Sequence, residues 1–112
     1  MKPAASSCGR GVKVVNKNST IYKRSGVVVS KYIHSHLING FKYDLRLYVL
    51  VTSFDPLKIY LYEEGLTRFA TEKYTQSRHS IKRRYIHLTN YSVNKHSSTF
   101  VSNKGKGFDE AN

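Results

Sequence analysis

The sequence predicts a mixed α/β (α+β) fold and, within it, the β-rich central portion of a domain that is incomplete over these residues. Three observations predict it. The middle of the chain carries β-branched and alternating apolar runs, at Val27-Val28-Val29 and from Lys42 to Val51. No strongly amphipathic helix of useful length accompanies them, and both ends are polar and contain glycine. A sheet must cover its apolar face, so strands without helices of their own imply covering helices elsewhere.

The elements follow in order. Met1 to Gly11 is built of small residues and precedes a short strand at Val12-Lys13-Val14-Val15. Val27-Val28-Val29 continues into Ser30-Lys31-Tyr32-Ile33, with Gly26 in front and a His/Ser stretch behind. Lys42 to Val51 alternates as one strand. Tyr43, Leu45, Leu47, Val49 and Val51 share one face, while Lys42, Asp44, Arg46 and Tyr48 share the other. Phe54-Asp55-Pro56 supplies a turn, and Lys58 to Tyr62 returns as a strand expected to pair with the preceding one as a hairpin. Residues 71–84 hold Lys73, Arg78, Lys82, Arg83 and Arg84 among few apolar residues, which predicts a mobile basic loop. Ser102 to Asn112 is polar and lacks apolar periodicity, and no internal repeat is visible.

A length of 112 residues bounds the chain to one small domain or part of a larger one. No run approaches the roughly 20 apolar residues of a spanning helix, and Met1-Lys2-Pro3 leads into Ser and Gly rather than the apolar stretch of a signal peptide. The single cysteine, Cys8, cannot close an internal disulfide, so a reducing, cytoplasmic compartment is expected. Nineteen Lys+Arg against seven Asp+Glu give a formal charge of +12, a field that favours a polyanionic partner. Nucleic acid, phosphorylated ligands, anionic lipid and acidic protein tails all satisfy that condition. Nine tyrosines and five phenylalanines suit stacking on bases and suit a β-sheet core equally well.

Several places carry side chains suited to chemistry. In Lys2-Pro3-Ala4-Ala5-Ser6-Ser7-Cys8-Gly9-Arg10-Gly11, small residues let backbone N–H groups approach an anion and a lysine adds compact positive charge. The spacing is neither the Walker loop nor the dinucleotide fingerprint, because Lys2 precedes the glycines, and a plain flexible turn fits it too. Lys42, Asp44 and Arg46 at alternate positions form either a solvated outer face or a charged site strip. Arg68, after Glu63-Glu64-Gly65-Leu66-Thr67, is by itself an ordinary surface arginine. His87 to Lys95 gathers seven hydrogen-bonding side chains, and a turn held by local Asx bonds is the plain alternative. The histidines have no metal spacing and Cys8 has no paired base, so no metal ligand is expected among these residues.

Lys2 to Ser7, Ser30 to Ile33, Asn39 to Ser53, Ile59 to Ala70 and His87-Leu88-Thr89-Asn90-Tyr91-Ser92-Val93-Asn94-Lys95 together resemble the tubulin tyrosine ligase-like family, most closely its polyglutamylase branch. The resemblance spans residues 1–101 and rests on the order and spacing of separate motifs. Residues 102–112 look unlike the family, as a divergent polar tail.

The resemblance implies an ATP-grasp fold, with ATP between two β-rich lobes and residues 1–101 a partial domain. Carried over residue by residue, Lys2 holds nucleotide phosphate, and Cys8 and Gly9 lie in the loop over the phosphates. Ser30, Lys31, Tyr32 and Ile33 form the hinge strand beside adenine; Lys42, Tyr43 and Asp44 line the nucleotide site; Thr89 and Asn90 contact ATP. Arg46 faces the reacting groups, Arg68 binds the incoming glutamate carboxylate, and Tyr91 and Ser92 belong to the glutamate pocket. The implied activity is ATP-dependent ligation of free L-glutamate to glutamate side chains in acidic tubulin tails through an acylphosphate. The implied setting is the cytoplasm and the microtubule cytoskeleton, including cilium or basal body, with neither nucleic acid nor membrane as partner. Mg²⁺ is implied with ATP, and its ligands, an acidic residue and a later Glu-x-Asn pair, are expected outside these residues. Lys104 and Lys106 are substitutes for a glutamate-binding lysine expected after Lys95. Negligible ligase activity is therefore expected of these residues alone. Two other classes stay open: a basic nucleic-acid module that stacks bases on tyrosines, and a truncated binder of tubulin tails through charge.

Overall fold

The computed structural model describes residues 1–21 and 26–102. The polar tail from Asn103 onward, with Lys104 and Lys106, lies outside the described residues. Lys2–Pro3 (β1) pairs antiparallel with Val27–Val28 (β2). Leu37–Ile38 (β3) turns back on Phe41–Arg46 (β4) through Asn39 and Gly40, whose φ angles are 51° and 83°. Asparagine and glycine are the residues that tolerate positive φ at both centres of a two-residue hairpin loop. Val49–Phe54 (β5) and Leu57–Leu61 (β6) form a second hairpin around a cis Asp55–Pro56 peptide. Leu66–Lys73 (β7) then lies antiparallel on β4, giving a three-stranded sheet in the order β3-β4-β7. A 3₁₀ turn at Arg78–Lys82 and two four-residue helices, Arg84–His87 (α1) and Tyr91–Asn94 (α2), complete the described residues.

The mixed α+β class and the hairpin of residues 49–61 are as the sequence predicts. The single strand over 42–51 is not. It divides at Leu47-Tyr48, so that β4 pairs with β7 and only β5 pairs with β6. The two sheets part where Gly65 passes Arg46: a Cβ on Gly65 would stand 2.7 Å from the Arg46 carbonyl oxygen.

The apolar side of that segment does not seal an interior. Leu45, Leu47 and Val49 are 59%, 53% and 57% exposed, because no described element covers them. Val12–Val15 forms no strand; Lys13 exchanges one pair of backbone bonds with Met1 and the contact goes no further. The strand expected over 27–33 ends at Val28, since its partner β1 is two residues long. Residues 71–84 are largely regular structure rather than one loop, with only 74–77 and Arg83 irregular. Thr71 to Lys73 finish β7, the Ser77 side chain accepts from the His79 N–H to start the 3₁₀ turn, and Arg83 approaches Glu72 at 2.5 Å.

The buried apolar side chains are Ala70, Ile86 and Val93, where α1 and α2 pack on β7. Buried beside them are Ser80, His87 and Asn94, so half of this small core is polar and depends on hydrogen bonds. The radius of gyration, 17.2 Å, exceeds the value of about 13 Å that a compact chain of this length would have. The chain is an open arrangement of sheets around that one polar core.

Candidate functional site

The β4–β7 register creates the centre of the site. Asp44 lies directly opposite Arg68, and opposite charges facing one another across antiparallel strands attract. The Arg68 Nε donates to Asp44 Oδ1 at 2.8 Å, while the Thr89 hydroxyl donates to Asp44 Oδ2. One carboxylate thus ties β7 and the segment before α2 to β4. The β4–β7 register shifts between Phe41 and Tyr43, and Lys42 stands at that irregularity. Such shifts re-aim side chains. The Lys42 Nζ lies 3.3 Å from the Tyr32 hydroxyl and 5.1 Å from the centre of its ring. Burial lowers the Lys42 pKa and the Asp44 charge partly offsets that.

Behind Lys42 stand two rings. The Tyr32 hydroxyl is 3.1 Å from His87 Nδ1, and His87 Nε2 is 3.1 Å from the Ser80 carbonyl oxygen. Tyr74 meets the His87 ring edge-on at 5.9 Å. Burial pushes the Tyr32 hydroxyl pKa well above its usual value, helped by Tyr74. Burial likewise holds His87 below the usual imidazole value; the Lys42 charge adds to this and the Ser80 carbonyl opposes it.

The opening loop reaches the same region from the other side. Cys8 and Gly9 have φ of 58° and 72°, and a Cβ on Gly9 would lie 2.7 Å from Asn90 Oδ1. Glycine is required there both by the conformation and by the approach. The Cys8 carbonyl accepts from the Ser92 hydroxyl at 3.0 Å. Asn94, 1% exposed, holds the motif in place. Its Oδ1 accepts from the Thr71 N–H at 3.0 Å and the Thr71 hydroxyl at 2.9 Å. Its Nδ2 donates to the carbonyls of Leu88 at 2.7 Å and Asn90 at 3.1 Å.

The fold therefore brings together Cys8, Gly9, Tyr32, Lys42, Asp44, Arg68, Thr89, Asn90 and Ser92. Other sequence candidates stand apart. Tyr43 turns to the opposite face of β4, against Phe69 and His36. Arg46 extends over the ring of Tyr48 at 5.9 Å, and Tyr91 packs on Phe100. Lys2, Ser30, Lys31 and Ile33 are exposed. His87 and Asn94 are central here, and sequence reasoning assigned neither a role. Their placement inside the His87–Lys95 motif was the available signal, but their partners Ser80, Tyr32 and Thr71 are distant in sequence. A concavity of about 520 Å³, lined by Lys82, Arg83, Arg84, Tyr85, Ser92 and His96 with Glu72, opens beside α2.

These residues suit an anion. Lys42 and Arg68 supply charge, and the Gly9 approach leaves backbone close to Asn90 without a side chain between them. They do not by themselves make a magnesium site. Among the described residues no group of three His, Cys, Asp or Glu side chains converges, and both Asp44 oxygens are already engaged.

These residues form an incomplete antiparallel α+β segment, and the family whose model they match has the ATP-grasp fold. The model of the tubulin-tyrosine ligase family matches residues 1–110, and the chain belongs to that family. Human tubulin polyglutamylase TTLL5 is 56% identical over 103 residues, covering 91% of this chain and 8% of the relative. Mouse tubulin monoglutamylase TTLL4 is 49% identical over 104 residues, covering 92% and 9%. The probable beta-tubulin polyglutamylase of Tetrahymena thermophila is 47% identical over 108 residues, covering 95% and 9%. The chain thus spans less than a tenth of the length of these relatives. No described helix is long and apolar enough to cross a membrane.

Proposed function

We propose that this chain forms part of an ATP-dependent tubulin glutamate ligase and supplies one wall of its nucleotide site. The observation that carries the reading is the convergence of Lys42, Asp44, Thr89 and Asn90 with the Cys8-Gly9 loop, in a chain 56% identical to a tubulin polyglutamylase. Lys42 neutralises nucleotide phosphate, and Asp44 holds Arg68 and Thr89 in register around it. Among the described residues, Ser30 to Ile33 makes no backbone–backbone hydrogen bond, which leaves its N–H and C=O groups free to read an adenine ring. Lys2, Lys31, Ile33 and Tyr43 complete the nucleotide walls only with polypeptide beyond these residues.

In this reading the γ-phosphoryl group passes from ATP to the carboxylate of an acceptor glutamate side chain, giving an acylphosphate and leaving ADP. The amine of free L-glutamate then attacks that carbonyl, forming an isopeptide bond and releasing phosphate. Arg68, whose planar fork suits a carboxylate, receives the incoming glutamate with Ser92 at the rim, while Arg46 and Tyr91 must leave the Tyr48 and Phe100 rings to reach the reacting groups and the glutamate pocket. Mg²⁺ bound by ligands outside the chain would offset phosphate charge. The acceptor is an acidic tubulin tail on microtubules, including those of cilia, drawn by the +12 field and the Lys82-Arg83-Arg84 concavity.

Titration of the chain with labelled ATP, a glutamate-rich tail peptide and single-stranded nucleic acid, at low and raised salt, tests the reading. ATP and peptide binding are expected. Nucleic acid bound more tightly than the peptide, with no ATP uptake, would overturn it in favour of a basic nucleic-acid module.

A further inference from the structure

We propose that Tyr32 and His87 are positioning residues for Lys42. A hydrogen-bond chain that starts at the Ser80 carbonyl and runs through both rings sets where the lysine's ammonium stands, and it does so only while His87 is neutral. The consequence for ligand binding rests on the nucleotide-site reading above; the positioning itself does not.

The direction of every bond in the chain follows from the chemistry of its ends. The Ser80 carbonyl can only accept, so His87 Nε2, 3.1 Å away, carries the ring hydrogen. A neutral His87 then presents a lone pair at Nδ1, and the Tyr32 hydroxyl, at 3.1 Å, donates to it. Lys42 has donors alone, so its Nζ gives a hydrogen to the Tyr32 oxygen at 3.3 Å. With the imidazole uncharged, the Tyr32 hydroxyl accepts from Lys42 and donates to His87, and the Tyr74 side chain is its other polar neighbour. The titratable groups facing His87 are Tyr32, Tyr74 and Lys42, with Asp44 behind Lys42 on β4. His87 is buried, while Tyr32 and Lys42 are half-buried.

A proton added at Nδ1 turns the acceptor of the Tyr32 hydrogen into a donor. It also places a second cation against Lys42. Both changes undo the arrangement: Tyr32 must rotate its hydroxyl hydrogen away, and the ammonium loses its defined partner. The lysine that would meet nucleotide phosphate is thereby set by a ring that touches no ligand.

The test uses ¹⁵N-labelled full chain and its Tyr32→Phe variant, which keeps the ring and removes the hydroxyl. Nuclear magnetic resonance follows the His87 ring nitrogens and the Lys42 side-chain nitrogen across pH 5 to 8. The expected result is an Nε2–H tautomer, with the Lys42 signal moving as His87 titrates and that response reduced at least threefold in Tyr32→Phe. A merely structural Tyr32 would change stability without uncoupling Lys42 from the His87 titration. An Nδ1–H tautomer, or an equal Lys42 response in both proteins, overturns the proposal. ATP titration of the same samples separates the two readings: Lys42 uncoupling without ATP binding supports the positioning and removes the nucleotide assignment alone.

Discussion

Truncating Asn94 should be the most damaging single polar substitution among the described residues, and the cost can be worked from its bonds. Its side chain makes four hydrogen bonds, two from Thr71 and two to the carbonyls of Leu88 and Asn90, at 1% exposure. Asn94→Ala strands the Thr71 N–H and the Leu88 carbonyl, at about 1–3 kcal/mol for each unsatisfied group. The total is about 3 kcal/mol or more. Thr71→Val removes only the hydroxyl bond and should cost about 1 kcal/mol. Urea denaturation read by circular dichroism gives the comparison. With a slope of about 1 kcal/mol per molar, Thr71→Val moves the midpoint down by about 1 M, and Asn94→Ala by about 3 M or to complete unfolding. Hydrogen exchange at the Thr71 amide should accelerate in Asn94→Ala far more than in Thr71→Val. An Asn94→Ala midpoint indistinguishable from the parent, or a larger loss in Thr71→Val, would refute the polar-core reasoning.

Gly9→Ala should loosen the opening loop from Asn90, since positive φ costs about 1–2 kcal/mol for a residue with Cβ and the added carbon meets Asn90 Oδ1 at 2.7 Å; weaker ATP binding with little change in far-ultraviolet dichroism checks it. Asp44→Asn should cost at most about 1 kcal/mol of stability, because the Arg68 pair is partly solvated, while lowering the Lys42 pKa further, since the Asp44 charge now holds it up; a titration of the Lys42 side chain reads the shift. His87 is depressed below its ordinary value of 6.5, so the unfolded chain takes up its proton first on acidification. Its contribution to stability is complete above about pH 6.5 and shrinks as pH falls from there towards the folded-state value, which denaturation midpoints from pH 7.5 to 5 should follow and which His87→Gln should abolish.

Local chemistry was legible in the sequence where local rules decide it. The hairpin of Val49–Phe54 and Leu57–Leu61 follows from two β-rich runs about an Asp-Pro turn. Asn39-Gly40 carries an equally strong hairpin signal, but it sits inside a stretch whose Lys42–Val51 alternation dominated the reading. Alternation runs unbroken through Leu47 and Tyr48, so it could not reveal that the strand divides there, where Gly65 approaches Arg46. The Asp44–Arg68 pair, which turns a plain surface arginine into a site residue, exists only through a strand register spanning 24 positions. The basic run at 78–84 records charge, and charge does not say whether a backbone is coiled or helical. The roles of Cys8, Gly9 and Thr89-Asn90 came from the family resemblance, and Gly9 and Asn90 meet as neighbours. His87 did not stand out, because a histidine's role is set by what its two nitrogens touch.

The central claim is that β4 and the two loops beside it form one wall of a nucleotide site. Amide resonances followed during ATP addition to the full chain test it most directly. The account predicts shifts concentrated at Gly9, Lys42, Asp44, Thr89 and Asn90, together with the backbone of Ser30 to Ile33. Shifts confined to the Lys82–Arg84 concavity, or none at saturating ATP, would contradict it.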